Sequence, residues 1–153
     1  MSDRNHDGTE QFIEELGMVF QAEGLPRIAG RVMGLLVIEG GPMAFAAIAE
    51  RLHISRGSVS TNTRLLEQMG VLERVAVPGE RQDFFRLAAA PYVRLLSGLT
   101  QRMAKARDVV QRAGRSLSPD RHGAHQRLAE LDEFYAEFGS SLARLIEQFS
   151  RRR

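Results

Sequence analysis

At Gly70 the hydrophobic period of the chain changes, and no other feature restricts the fold as much. Beyond it, Val71, Glu73, Val75 and Val77 point one way and Leu72, Arg74 and Ala76 the other, the two-residue period of a strand. Pro78-Gly79-Glu80-Arg81 is turn chemistry, and residues 83–87 supply a second strand with Phe84 or Phe85 inward. Before Gly70 the period is helical. Residues 55–69 place Val59, Leu66 and Met69 on one side of a helix and Gly57, Ser60, Thr61, Arg64 and Gln68 on the other. Ser55 is suited to the N-cap, where its hydroxyl accepts an orphan backbone N–H. A short helix over residues 45–52, with Phe45, Ile48, Ala49 and Leu52 inward, comes first. His53-Ile54-Ser55 is the turn, and His53 reads as a solvated turn residue. Short helix, tight turn, capped helix and hairpin in this order are the pattern of a winged helix-turn-helix.

The outward face of the capped helix is small, hydroxylated and basic at its N-terminal end, and it carries no acid. Such a face suits a DNA major groove. Gly57 lets the backbone approach, Ser55, Arg56 and Ser58 lie where phosphates are expected, and Ser60 and Thr61 reach base edges if the helix sits deep. Arg64 can fork onto a guanine edge, with Gln68 one turn further on. In the wing, Arg81 sits at the tip, within reach of a minor groove or a phosphate, and Arg74 and Arg86 can add backbone contacts. The alternative for the helix is an ordinary amphipathic helix with a solvated polar face. For the wing it is a plain hairpin whose arginines only solubilise.

The flanks read as helical. Residues 1–8 form a polar, disordered tail. A first helix spans 9–23, with Phe12, Ile13, Leu16, Val19 and Phe20 at helical spacing and Gly24 closing it. Pro26 opens a second helix to about Glu39, where Gly30 and Gly34 allow another helix to come close. Pro91 begins a long helix with a seam of Leu96, Leu99, Met103, Ala106, Val110, Ala113 and Leu117. Ser118-Pro119-Asp120 breaks it. A last helix follows, with Leu128, Leu131, Tyr135, Phe138, Leu142, Leu145 and Phe149 in a seam that Phe134 and Ile146 widen. Two such helices fold back as an antiparallel hairpin. The surplus apolar surface, including Leu131, Phe138, Leu142, Leu145 and Phe149 with Phe12 and Leu16 of the first helix, is the expected dimer contact. The fold class is mainly α with a small β-wing: a winged helix-turn-helix domain at 9–89 and a helical dimerisation arm at 90–153.

Composition excludes several other functions. There is no Cys, which removes disulfides, thiolate zinc sites and thiol redox sensing. No apolar run reaches the ~18 residues of a membrane span, and the polar N-terminus lacks the apolar stretch of a secretory signal; a cytoplasmic location fits. A net charge of +2 argues against indiscriminate DNA coating. No P-loop, GxSxG, HExxH or dinucleotide fingerprint occurs, so no enzyme and no cofactor are expected. His122 and His125 could share a helix face but have no third ligand nearby, and no metal site is assigned. Glu14 and Glu15 read as a solvated helix face.

Gly24-Leu25-Pro26-Arg27-Ile28-Ala29-Gly30-Arg31, Ile54-Ser55-Arg56-Gly57-Ser58-Val59-Ser60-Thr61 and the wing turn together resemble the GbsR-type branch of the MarR-like regulators. The resemblance covers roughly residues 12–87. It implies a dimeric bacterial transcriptional regulator on double-stranded DNA, commonly a repressor whose DNA affinity a small-molecule effector modulates. Two competing readings stay open: a winged-helix protein-interaction module without sequence-specific DNA binding, and a helical scaffold in which the winged helix is incidental.

Overall fold

The computed structural model describes residues 3–152, with side chains from Gly8 onward. The chain forms two compact units, Met1–Pro91 and Tyr92–Arg153.

The first unit contains α1 (Asp3–Ala22), α2 (Arg27–Glu39), β1 (Met43–Ala44), α3 (Phe45–Leu52), α4 (Arg56–Gln68), β2 (Leu72–Val75) and β3 (Phe84–Leu87). The start of α1 corrects the expectation of a tail over residues 1–8. The helix already includes Asp3 to Gly8, where polar residues leave no apolar period to read, while Met1 and Ser2 lie outside the described residues. Gly24, at φ +79°, lies in the connection to α2, and Pro26 stands at the N-cap of α2. The two helices then cross at glycines. A Cβ on Gly30 would stand 2.6 Å from the Leu16 carbonyl oxygen, and one on Gly34 would meet the Ile13 Cα at 3.3 Å.

One antiparallel sheet has the order β1-β3-β2. The sequence announces only its last two strands; two-residue β1 is too short to show a period. Leu72 pairs with Leu87 and Arg74 with Phe85, which makes Phe85 rather than Phe84 the buried aromatic. Ile13, Val32, Leu35, Leu36, Ile48, Leu52, Val59, Leu66, Leu72 and Phe85 form the core.

The second unit is a pair of helices, α5 (Pro91–Ser116) and α6 (His122–Ser150). They run antiparallel: Tyr92 near the start of α5 meets Phe149 near the end of α6 with ring centroids 6.4 Å apart. In the middle, Arg107 forks onto Asp132 at 2.9 and 3.3 Å. At the turn, His125 Nε2 hydrogen-bonds the Ser118 carbonyl. Among the described hydrophobic residues of α5 and α6, only Val110 and Leu142 are buried. Leu142, expected at the dimer contact, is therefore already enclosed in the arm and is not available to a second copy. Leu131, Phe134, Leu145 and Phe149 are exposed. Among the described residues, no helix is long and apolar enough to cross a membrane.

Candidate nucleic-acid interface

The helix-turn-helix is built from α3 and α4. His53 ends α3 in the left-handed region, at φ 52° and ψ 47°, so the chain reverses within two residues. Ser55 then caps α4: its Oγ accepts from the Ser58 N–H at 3.1 Å, while its hydroxyl donates to Ser58 Oγ at 3.0 Å. Both hydroxyls thus serve the first turn of the helix and still lie at its positive end.

The inward side of α4 holds more than the apolar period shows. Val59 and Leu66 are fully buried, and so is the polar Thr63, while Asn62 is buried but for a small fraction of its surface. Thr63 Oγ1 donates to the Val59 carbonyl at 2.7 Å and Asn62 Nδ2 to the Ser58 carbonyl at 2.8 Å. Bonding one turn back satisfies the Thr63 hydroxyl and the Asn62 amide nitrogen inside the helix, while Asn62 Oδ1 is buried without a protein partner among the described residues. A reading of hydrophobic spacing misses them.

Outward, α4 is open. The nearest atom to a Cβ placed on Gly57 would be Ser55 Oγ at 3.8 Å. Thr61, Arg64 and Gln68 are exposed and Ser60 is half-buried. Arg64 has no ion pair or side-chain hydrogen bond among the described residues. The one acid of α4, Glu67, turns to the wing, where it meets Arg74 at 3.3 Å; the same arginine also pairs with Asp83 at 3.0 Å. The outward surface is left with unpaired positive charge.

Several arginines are tethered in ways the sequence does not reveal. Arg56 lies over the Phe45 ring at 5.0 Å and Arg74 over the Phe85 ring at 5.4 Å, and the two rings are 6.4 Å apart. A line of two guanidinium groups and two rings therefore links the start of α4 to the wing. Arg86 pairs across the strands with Glu73 at 2.7 Å. The wing turn is Val77 to Glu80, closed by a 3.0 Å hydrogen bond from the Glu80 N–H, with Pro78 second and Gly79 at φ +86° third. That is the residue order a type II turn requires. Arg81 follows it, exposed and, among the described residues, unpaired. The return limb is tied down by the Phe45 N–H on the Asp83 carbonyl at 2.8 Å and by Gln82 Oε1 on the Ala46 N–H at 3.3 Å.

Residues 23–83, which hold α2, the helix-turn-helix and most of the wing, match the sequence profile of the MarR family. The HTH-type transcriptional regulator MmpR5 of Mycobacterium tuberculosis is 31% identical over 93% of this chain and 87% of its own length. The chain belongs to the MarR family of transcriptional regulators. The HTH-type transcriptional repressor OpcR of Bacillus subtilis is 28% identical, over 92% of this chain and 83% of its own. The crystal structure of a transcriptional regulator superposes with a TM-score of 0.85 at 28% identity, covering 94% of this chain and 99% of that one. Among the described residues of this MarR-family chain, no group of three or more His, Cys, Asp or Glu could hold a metal ion.

Proposed function

We propose that this MarR-family chain binds a pseudo-palindromic operator as a homodimer and represses transcription. Ser55, Arg56 and Ser58 hold phosphates at the start of α4. Gly57, Ser60, Thr61, Arg64 and Gln68 face the major groove, and Arg81 reaches the flanking backbone or minor groove. The observation that carries this reading is the outward face of α4. Its arginine is unpaired, the one acid of the helix is drawn to Arg74 on the wing side instead of standing beside that arginine, and its glycine stands in open space. A free cation beside a surface without side-chain bulk is what close approach to a polyanion needs.

The exposed apolar residues of α6, with Phe12, Met18 and Val19 exposed on α1, supply the surface for a second copy. Leu16 lines the α1–α2 crossing and contributes less to that surface than Phe12. The GLPRIAGR and ISRGSVST stretches support an assignment to the GbsR-type branch of that family. It acts in the cytoplasm, without a cofactor, and a small-molecule effector works by changing the separation of the two recognition helices.

The test is fluorescence anisotropy of a labelled duplex from the chain's own upstream region at two salt concentrations. Affinity should fall steeply with salt, roughly 0.9 decade per decade of salt for each phosphate neutralised. A folded dimer with no salt-dependent binding to that duplex or to other DNA would move the protein-interaction reading ahead.

A further inference from the structure

The Gly24–Arg31 segment carries much of the family resemblance, yet none of its residues belongs to the surface assigned to DNA. Its last residue occupies an unusual position. The stem of Arg31 lies in a notch on α1, where a Cβ on Gly17 would stand 2.8 Å from Arg31 Cγ. From there the guanidinium forks. Nε donates to Glu14 Oε1 of α1 at 2.7 Å, and a terminal nitrogen donates to the Leu52 carbonyl at 3.0 Å. Leu52 is the last residue of α3, directly before the left-handed His53 of the turn. Its carbonyl lies at the negative end of the helix, where an arginine is favoured both as a charge and as a donor.

Arg31 is only 19% exposed, so this contact is partly shielded from water. A second nitrogen-to-oxygen contact runs in parallel, from Arg51 of α3 to Glu10 of α1. Arg27 adds a further bond to Glu14 at 2.9 Å, which holds the carboxylate in place beneath Arg31.

We propose that Arg31 is a positioning residue that fastens the turn of the helix-turn-helix to α1, so that a displacement of α1 is felt as a change in DNA affinity. This rests on the DNA-binding reading of α4. The class of regulation follows from where α1 is exposed. Phe12, Met18 and Val19 lie on its free surface, the surface assigned above to a second copy, so a shift of α1 against that copy would reach Glu14 and, through Arg31, the turn.

The test uses the full chain and the duplex described above. Arg31→Met keeps the stem in the Gly17 notch and removes the fork, and Glu14→Gln removes the charge on the α1 side. Both variants should bind roughly 3- to 30-fold more weakly, the range expected for coupling through a packed network. The slope of affinity against salt should not change, since neither residue touches phosphate. Amide hydrogen exchange should rise at residues 53–58 more than in the α2 core. Arg31→Lys, which can still reach one of the two acceptors, should recover part of the loss. If Arg31→Met does not fold, Glu14→Gln and Arg31→Lys decide the matter. Unchanged affinity and unchanged exchange at the turn overturn the inference while leaving wild-type DNA binding intact. A uniform rise in exchange across the unit reduces Arg31 to a structural role and overturns it as well. A wild-type chain that binds no DNA defeats the DNA reading and the affinity half of this inference, and exchange at the turn then decides the positioning half alone.

Discussion

Gly30 of α2 and Gly17 of α1 lie against each other: a Cβ on Gly30 would be 2.8 Å from the Cα of Gly17 and 2.6 Å from the Leu16 carbonyl oxygen. Both neighbours are backbone and cannot rotate aside. Gly30→Ala should therefore push α1 off α2. The better helix propensity of Ala, about 1 kcal/mol, opposes this, but overpacking of a tight contact costs about 1–3 kcal/mol. A net loss is expected, read as a lower midpoint in urea with an unchanged slope. An unchanged or raised midpoint would mean that the helices cross less closely.

Gly57 is the opposite case. Nothing but Ser55 Oγ lies within 4 Å of a Cβ there. Gly57→Ala should leave stability unchanged or raise it by up to about 1 kcal/mol, because glycine in a helix carries an entropic penalty. Gly57→Leu should fold equally well and lose DNA binding, since the added side chain would stand between backbone and groove. A Leu variant that binds the operator like wild type would remove α4 from the reading surface.

Arg64 and Arg81 should fail differently. Arg64→Ala is expected to cost about 1–3 kcal/mol and to relax preference at one position in each half-site, the two positions related by two-fold symmetry. Arg81→Ala should weaken binding about equally on most sequences and make the salt slope shallower by about one. Selection from a randomised duplex library, with titrations at two salt concentrations, separates the two patterns. Identical patterns for both variants would contradict the division between base contact and backbone contact.

These contrasts mark what the sequence makes legible. Long helices, the Ser55 cap and the hairpin after Gly70 are visible because each rests on a local period or a local bond. Partnerships across elements leave no such trace. Arg56, Arg74 and Arg86 look equally free in the sequence, but the fold lays Arg56 on Phe45, Arg74 between Glu67 and Asp83, and Arg86 on Glu73. Glu14 reads in the sequence as part of a solvated face, but it holds two arginines, because α2 crosses α1 at Gly17 and brings Arg27 and Arg31 to it. Asn62 and Thr63 are polar in type but buried, since each bonds the preceding turn of its own helix.

Glu14 also sets a pH dependence. Burial pushes its carboxyl upward, but the hydrogen bonds from Arg31 and Arg27 outweigh that and hold it below the ordinary value of 4.5. The folded state therefore binds this proton less readily than the unfolded chain. The stabilisation is complete above pH 4.5 and is lost as the pH falls through the lower, folded value. Asp132 has the same sign in the arm: the hydrogen bond from Arg107 keeps its carboxyl below 3.8. Glu14→Gln should lower the urea midpoint at pH 7, and the difference from wild type should shrink as pH drops below 4.5. A difference that grows toward low pH would reverse the assigned sign.

On α6, Phe134 is 57% exposed, although its ring stacks on Phe138 with centroids 5.9 Å apart and planes 7° from parallel. Leu131 and Leu145 lie on the same stripe at helical spacing and are exposed too, while Leu142 beside them is enclosed by the arm. An aromatic shelf with aliphatic neighbours, standing free on one helix pair, fits the centre of an interface with a second copy better than a solvated face. Phe134→Glu would place a charge at that centre. Its ring touches Tyr135 and Phe138 of its own helix, so helicity should persist by circular dichroism. Sedimentation at micromolar concentration should show wild type as a dimer and Phe134→Glu as a monomer. Binding to a full operator should weaken more than binding to a single half-site, because the second contact is no longer intramolecular. A Phe134→Glu variant that sediments as a dimer would place the interface elsewhere, with the exposed Phe12 and Val19 of α1 the next surface to substitute.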